Sequence, residues 1–294
     1  MRTVLLLCLG FFLSGINAYA ADDIVKVHEG THFIWYARDG LAREQKAAWE
    51  PFFGYADKAI EAIENSWNLT LPEGKFALWV HEMKGQGKDG FAAGDIGEVH
   101  DASGSLAPGI GIIFDAFTNK VYDIDGYWGY VLITHETVNL LTGQMVSGGW
   151  PLDWWADHKS PFPAMTAVDV ERKLVPAVYV HHDAQFENDT LYQMFKDLKD
   201  YYGWRMFHRT FDVLKADRID LSALGPNPGS TLTNYVCAYL EIGAEEPLTD
   251  YFKRGGVPDF DRKAVDAIKA RRESIMDLDR SAPEWDTFRN GEYN

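Results

Sequence analysis

Three places in the chain set a histidine beside a glutamate: His28-Glu29, His81-Glu82 and His135-Glu136. Hydrolysis by metal-activated water needs that pairing in a definite form, with two metal-binding side chains one helical turn apart and a carboxylate beside them to take the water's proton. His28-Glu29-Gly30-Thr31-His32 has both histidines. Gly and Thr are weak helix formers, however, and the string runs on into His32-Phe33-Ile34-Trp35-Tyr36, whose composition is that of a strand. His81-Glu82 closes an apolar strand-like run and opens a Gly-rich stretch, so it too lacks a helix. His135-Glu136-Thr137-Val138-Asn139 lies inside a helix-forming run, where His135 and Asn139 stand at i and i+4 on one face with Glu136 next to them. Asn139 alters the chemistry, because an amide oxygen is neutral and hard and binds zinc less well than imidazole does. The structural alternative for the same segment is a histidine packed in a core.

The elements around these residues follow from pattern. Residues 24–37 read as strands, 76–81 as a buried strand, 84–97 as a Gly-rich loop and 109–114 as a further strand. Ala47, Ala48, Phe52, Tyr55, Ala59, Ile60 and Ile63 recur at helical spacing, predicting a helix over 43–65 interrupted near Pro51. From Tyr127 the character turns helical. A helix over 130–142 is expected to stop at Gly143, a good C-cap residue, and a short one over 152–158 to end before Pro161 and Pro163. Further helices are expected over 191–199, 204–214, 230–240 and 262–277. The order gives an α+β fold, with a mixed α/β part over 21–126 and a mainly helical part over 127–294.

Residues 1–20 carry the marks of a secretory signal peptide: Arg2, an apolar run over 4–13 and an A-x-A site ending at Ala20. That run is too short to span a bilayer, which takes about 20 residues, and no later stretch rivals it. The expected location is secreted or periplasmic. With Cys8 in the leader, Cys237 is left alone and makes no internal disulfide. Set in the apolar stretch Val236-Cys237-Ala238, its thiol reads as core packing rather than a nucleophile. The formal charge of -16 repels phosphate backbones, which argues against nucleic acid and anionic membranes as partners. Ten tryptophans either fill a core or, where Trp150, Trp154 and Trp155 cluster near acids, offer faces for sugar rings. Asn68-Leu69-Thr70 and Asn188-Asp189-Thr190 are glycosylation sequons in a eukaryotic host. Nothing in the sequence fixes an oligomeric state.

The segment Gly148-Gly149-Trp150-Pro151-Leu152-Asp153-Trp154-Trp155-Ala156-Asp157-His158 adds a context to the His-Glu helix. Together they resemble the gluzincins, the superfamily of thermolysin-like, aminopeptidase and enhancin-like mucin-cleaving peptidases, which carry H-E-x-x-H on one helix and a glutamate in a W-L-x-E-G setting on a second. Asp157 stands 18 residues after Asn139 in that setting, with Asp in place of Glu. The resemblance extends over roughly residues 24 to 275, through Tyr201-Tyr202-Gly203-Trp204, Asn234-Tyr235-Val236-Cys237 and Leu248-Thr249-Asp250-Tyr251-Phe252. It implies a metalloprotease-like domain in which Glu136 is the general base and His135, Asn139 and Asp157 occupy the ligand positions. His158 is an alternative ligand, and His181-His182-Asp183 a further supplier read as a surface loop. Such a His-Asn-Asp set is compatible with weakly held zinc, another divalent ion or no metal.

Three functions follow as expectations. One is a secreted metallopeptidase acting on proteins or glycoproteins. A second is an inactive gluzincin fold that binds glycan or protein. A third is a glycoside hydrolase built on Asp153, Asp157 and Glu136, since two carboxylates flanking a sugar bond suffice for that reaction.

Overall fold

The computed structural model describes residues 24–71, 73–82, 89–93, 108–145, 161–217 and 230–276. The chain opens with β1 (Ile24–Glu29) and β2 (Phe33–Arg38), an antiparallel pair. Between them the Asp57 carboxylate accepts the backbone N–H groups of Thr31 and His32 at 2.7 and 2.9 Å, fixing the turn. His28 therefore lies on a strand, stacked on Phe53, and His32 lies in the turn, where it reaches Glu61 at 3.3 Å. The literal H-E-x-x-H string is the end of a strand followed by a turn, and not a helix, as its composition predicts.

Next comes α1 (Asp39–Trp67), one continuous helix in which Pro51 causes no break. Proline removes the bond to the carbonyl of residue 47, but Ala47 and Pro51 both face solvent, where water replaces the lost donor. β3 (Phe76–His81), β4 (Gly90–Ala93) and β5 (Gly109–Ile113) complete a five-stranded sheet in the order β1-β2-β3-β5-β4. β2, β3 and β5 run parallel, and β4 lies antiparallel to β5 at the edge. Every residue of β3 is buried, as a strand covered on both faces requires. Leu78, Val80, Ile110 and Ile112 join the main core, whereas Ala77 and Trp79 pack with Phe91 and Tyr36 on the other face. A 3-10 turn (Phe114–Phe117) leads to the small hairpin β6 (Lys120–Val121) and β7 (Ile124–Asp125). Sequence reading misses that hairpin. Its two turn residues, Tyr122 and Asp123, take φ of 53° and 58°, a conformation normally announced by Asn-Gly or Asp-Gly.

The rest of the described chain is helical: α2 (Tyr127–Met145), α3 (Pro161–Leu174), α4 (Pro176–Ala184), α5 (Thr190–Tyr202), α6 (Trp204–Asp217), α7 (Ser230–Ala244), α8 (Thr249–Gly255) and α9 (Arg262–Met276). Gly143 lies within α2 and does not cap it. Pro161 and Pro163 stand in the first turn of α3, where N–H groups have no helical acceptor and their loss costs nothing. α4 replaces the expected surface loop at His181-His182-Asp183. The segment expected as a helix over 152–158 is outside the described residues.

The fold is α+β, with the sheet in the first part and most helices in the second. A single main core cluster runs through both, from Phe33 and Trp35 to Phe162, Phe211, Tyr239 and Ile268. Trp35, Trp49 and Trp67 are wholly buried in it, so part of the tryptophan content is core. Among the described residues no helix is long and apolar enough to cross a membrane.

Candidate functional site

α2 carries the His-Glu pair because it is an inner helix. Its apolar residues lie on every side: Val131, Ile133, Val138, Leu140 and Leu141 are all buried. A helix hydrophobic all round is one enclosed by others, and α2 touches α1, α3, α4, β4 and β5. A polar residue on such a helix is held in place by its surroundings.

Glu136 is 7% exposed. One carboxylate oxygen, Oε2, accepts the Asn139 Nδ2–H at 3.0 Å. The other faces β4 so closely that a Cβ added to Gly90 would stand 2.8 Å from Oε1 and 2.9 Å from Cγ. Glycine at position 90 thus lets the edge strand lie directly against the carboxylate. The Asn139 Oδ1 atom is buried and has no hydrogen-bond donor among the described residues.

His135, partly buried, is pushed down to about 4 by desolvation and by the nearby His182, so its imidazole is neutral at neutral pH. That is the form in which histidine binds a metal. His182, from α4, is 3% exposed, and its Nδ1 meets Oε2 of the fully buried Glu171 of α3 at 2.7 Å. A carboxylate on one ring nitrogen fixes a histidine's tautomer and orientation. Burial pushes the Glu171 carboxyl up, and the neighbouring His182 opposes the shift. Tyr55 completes this polar layer: its hydroxyl meets Thr134 Oγ1, and burial together with the Glu171 charge raises its pKa. Tyr127 accepts a hydrogen bond from Gln185 at 2.9 Å and is raised for the same two reasons.

The structure therefore brings His135, Glu136 and Asn139 together on α2 and adds Glu171, His182 and Tyr55 beside them. His181 stacks on Tyr122 at the surface, and Asp183 is held by Lys196 and Tyr192. Asp157 and His158, together with Asp153 and Trp150, Trp154 and Trp155, are outside the described residues. Cys237 is buried, and desolvation holds its thiol protonated. Sequence reading misses Glu171 because it precedes Arg172 and Lys173 and looks like one more surface charge. The available signal is its neighbour Val170 and the apolar run 162–168, which mark α3 as an inner helix.

A catalytic zinc takes three protein ligands. Two donors suited to a cation stand on α2, a neutral imidazole and an amide oxygen without a hydrogen-bond partner among the described residues, and the third expected position is outside them. Among the described residues no group of three His, Cys, Asp or Glu side chains could hold a metal ion. Comparison of the chain with protein-family models, with curated proteins and with solved structures finds no match.

Proposed function

We propose that the protein is a secreted hydrolase of the gluzincin kind, which cleaves peptide bonds in proteins or glycoproteins at the edge strand β4 beside Glu136. The observation that carries this reading is the buried Glu136 carboxylate set directly against an edge strand. β4 ends the sheet order, so one row of its N–H and C=O groups has no partner strand among the described residues. An extended polypeptide adds to such an edge by main-chain hydrogen bonds, about 4.8 Å from the strand it joins. Its backbone is then carried past Glu136, where Gly90 leaves no side chain in the way.

Glu136 acts as general base and then as general acid. It takes a proton from water as the water oxygen bonds to the scissile carbonyl carbon, and returns that proton to the amide nitrogen as the C–N bond breaks. Asn139 Nδ2 holds the carboxylate in one orientation for both transfers. His135 and Asn139, with Asp157 or His158, are the residues that would hold a divalent metal. Bound there, the metal would supply Lewis-acid polarisation of the carbonyl and a more acidic water. His182, aligned by Glu171, keeps the surroundings of His135 polar and ordered. The leader over residues 1–20 takes the protein across a membrane before it acts.

The test compares wild type with Glu136→Gln on casein and on a mucin-type glycoprotein, with divalent metal content measured alongside in wild type and His135→Ala. Hydrolysis lost in Glu136→Gln and metal lost in His135→Ala are the expected results. Turnover that survives Glu136→Gln rules out the base. One observation favours a second reading, a fold that binds polypeptide without cleaving it: the Asn139 amide already donates to the carboxylate that would act as base. Strand-like peptide binding with neither metal nor turnover is the outcome that selects it.

A further inference from the structure

We propose that the groove between α5 and α8 is a second binding site, one that takes a neutral oligosaccharide. It is built on other elements than α2 and β4, and it stands whether or not the hydrolase reading does.

Two cavities of about 380 and 420 Å³ lie along the seam of these helices and meet at Tyr251, which lines both. Each is within the roughly 300–1,000 Å³ of small-ligand pockets. α5 supplies one wall. Its Gln193, Asp197 and Tyr201 stand at i, i+4 and i+8 on one face, a run of about 12 Å at about 1.5 Å per residue. α8 supplies the other wall with Asp250, Tyr251 and Arg254. The two walls are tied together before any ligand arrives. Thr190 Oγ1 donates to the Gly255 carbonyl at 2.8 Å, and Arg254 lies 4.8 Å over the Tyr251 ring and 3.6 Å from the Asp197 carboxylate. Glycine at position 255 lets the helices close, since a Cβ there would stand 2.8 Å from the Met194 Sδ.

The groups along this groove match a chain of sugar rings. Tyr201 is 72% exposed, so its ring adds little to the core. It meets Tyr202 edge-on at 4.7 Å, and Tyr202 stands 6.2 Å from Tyr251, which makes a strip of three aromatic rings. A tyrosine joins an apolar face to a hydroxyl at its rim. A pyranose is built the same way, with C–H groups on its faces and hydroxyls around its edge. Neutral hydrogen-bonding groups flank the rings: Asn188 and Gln193 in one cavity and Thr249 in the other. Gln193 gives its Nε2–H to the Phe186 carbonyl at 3.1 Å, which fixes the amide and leaves its carbonyl oxygen as an acceptor. Most of the carboxylates are engaged within the groove. Asp197 pairs with Arg254, Glu246 accepts the Tyr202 hydroxyl, and Glu187 accepts the Asn188 Nδ2–H at 3.4 Å. What remains to a ligand is mainly uncharged hydrogen bonding beside aromatic faces. An acidic sugar would meet Glu187, Asp197, Glu246 and Asp250 against Arg254 alone, and be repelled. A compact cation would need rings closed around one point, whereas these line an open groove longer than a single sugar ring.

The test is a panel of immobilised neutral oligosaccharides ending in glucose, galactose, mannose or their N-acetylamino forms, with sialylated and sulfated counterparts and a trimethyllysine peptide beside them. Calorimetry then follows on the neutral member bound best. A Kd of about 1 mM or tighter is expected for it, with the anionic counterparts at least about tenfold weaker. Tyr201→Ala should weaken binding about tenfold and Gln193→Ala about threefold, while Tyr201→Phe, which keeps the ring, should retain most of it. Each variant's melting temperature is compared with that of the wild type, and the exposure of Tyr201 leads us to expect no change there. No neutral oligosaccharide bound, an anionic sugar preferred, or an affinity unmoved in both folded alanine variants overturns the proposal. Binding of the trimethyllysine peptide in place of sugar, lost in Tyr201→Ala, makes the groove a cation site and overturns it equally. The panel needs no turnover, so its outcome is separate from whether casein is cleaved, and either reading can fail alone.

Discussion

Gly90→Ala puts one methyl group where β4 meets Glu136, and its effect can be worked from the distances. The new Cβ would stand 2.8 Å from Oε1 and 2.9 Å from Cγ, against an ordinary contact of at least 3.4 Å. The carboxylate must move by about 0.6 Å or the strand must lift, because Glu136 is buried and has little free space. Overpacking of this kind costs about 1 to 3 kcal/mol, and each kcal/mol lowers Tm by roughly 2 to 4 °C at this chain length. If Glu136 is the base, a shift of this size also costs activity, since misplacement by about 1 Å is worth on the order of 100-fold; about tenfold is expected here. Gly54→Ala is the control. It sits on the exposed side of α1 with no atom within 4 Å of the new Cβ, and should stabilise by about 0.5 to 1 kcal/mol. Thermal unfolding and casein turnover of the three proteins make the comparison. Gly90→Ala with wild-type Tm would refute the close approach of Glu136 to β4. A lowered Tm with undiminished turnover would refute the role given to the carboxylate.

Glu241 is buried on α7, where it accepts the Leu248 N–H at 2.8 Å and pairs with Arg262 and Lys269, and these partners hold its carboxyl below the ordinary value of 4.5. A depressed folded-state pKa contributes stability that is complete above about pH 4.5 and is lost as pH falls from there through the folded value. Glu241→Gln should therefore flatten the acid limb of a urea-stability profile below about pH 5, and an unchanged limb counts against the network. Asp57→Ala removes the acceptor for three backbone N–H groups of the β1–β2 turn, at 2.7, 2.9 and 3.2 Å, and should cost about 2 to 3 kcal/mol in denaturant unfolding; a loss under about 0.5 kcal/mol would mean that the turn stands without it. Asn139→His exchanges an amide oxygen that has no donor among the described residues for an imidazole and should tighten zinc binding measured by chelator competition. Equal affinity in the two proteins would remove position 139 from the ligand set.

What the sequence makes legible is what a single segment decides. The reading of His28 to His32 as lying in a strand run and not on a helix holds because Gly30 and Thr31 and the β-rich run after them act locally, although the turn at 30–32 is not foreseen, and α2 is found from its own apolar run. Pro51 misleads in the opposite sense: a proline signals a break, but tertiary packing of Trp49, Phe52, Phe53 and Ala56 outweighs one missing bond on the wet side of α1. The Tyr122-Asp123 turn carries no glycine to announce it. Its geometry is held from outside, by Tyr127 and His181 packed against the Tyr122 ring.

The candidate site divides along the same line. His135, Glu136 and Asn139 are one helix's residues, so their spacing shows that they share a neighbourhood. Glu171 and His182 belong to two other helices, and each looks like an ordinary surface residue in its own string. Only the packing of α3 and α4 onto α2 buries them together and gives one carboxylate oxygen a ring nitrogen as partner, while the other, Oε1, has no donor among the described residues. A fully buried carboxylate with half its acceptors unmet is costly unless something nearby repays it. Under the proposed function that compensation is the ordering of His182 beside His135, so the Glu171–His182 pair is accounted for only if α2 carries the proposed chemistry.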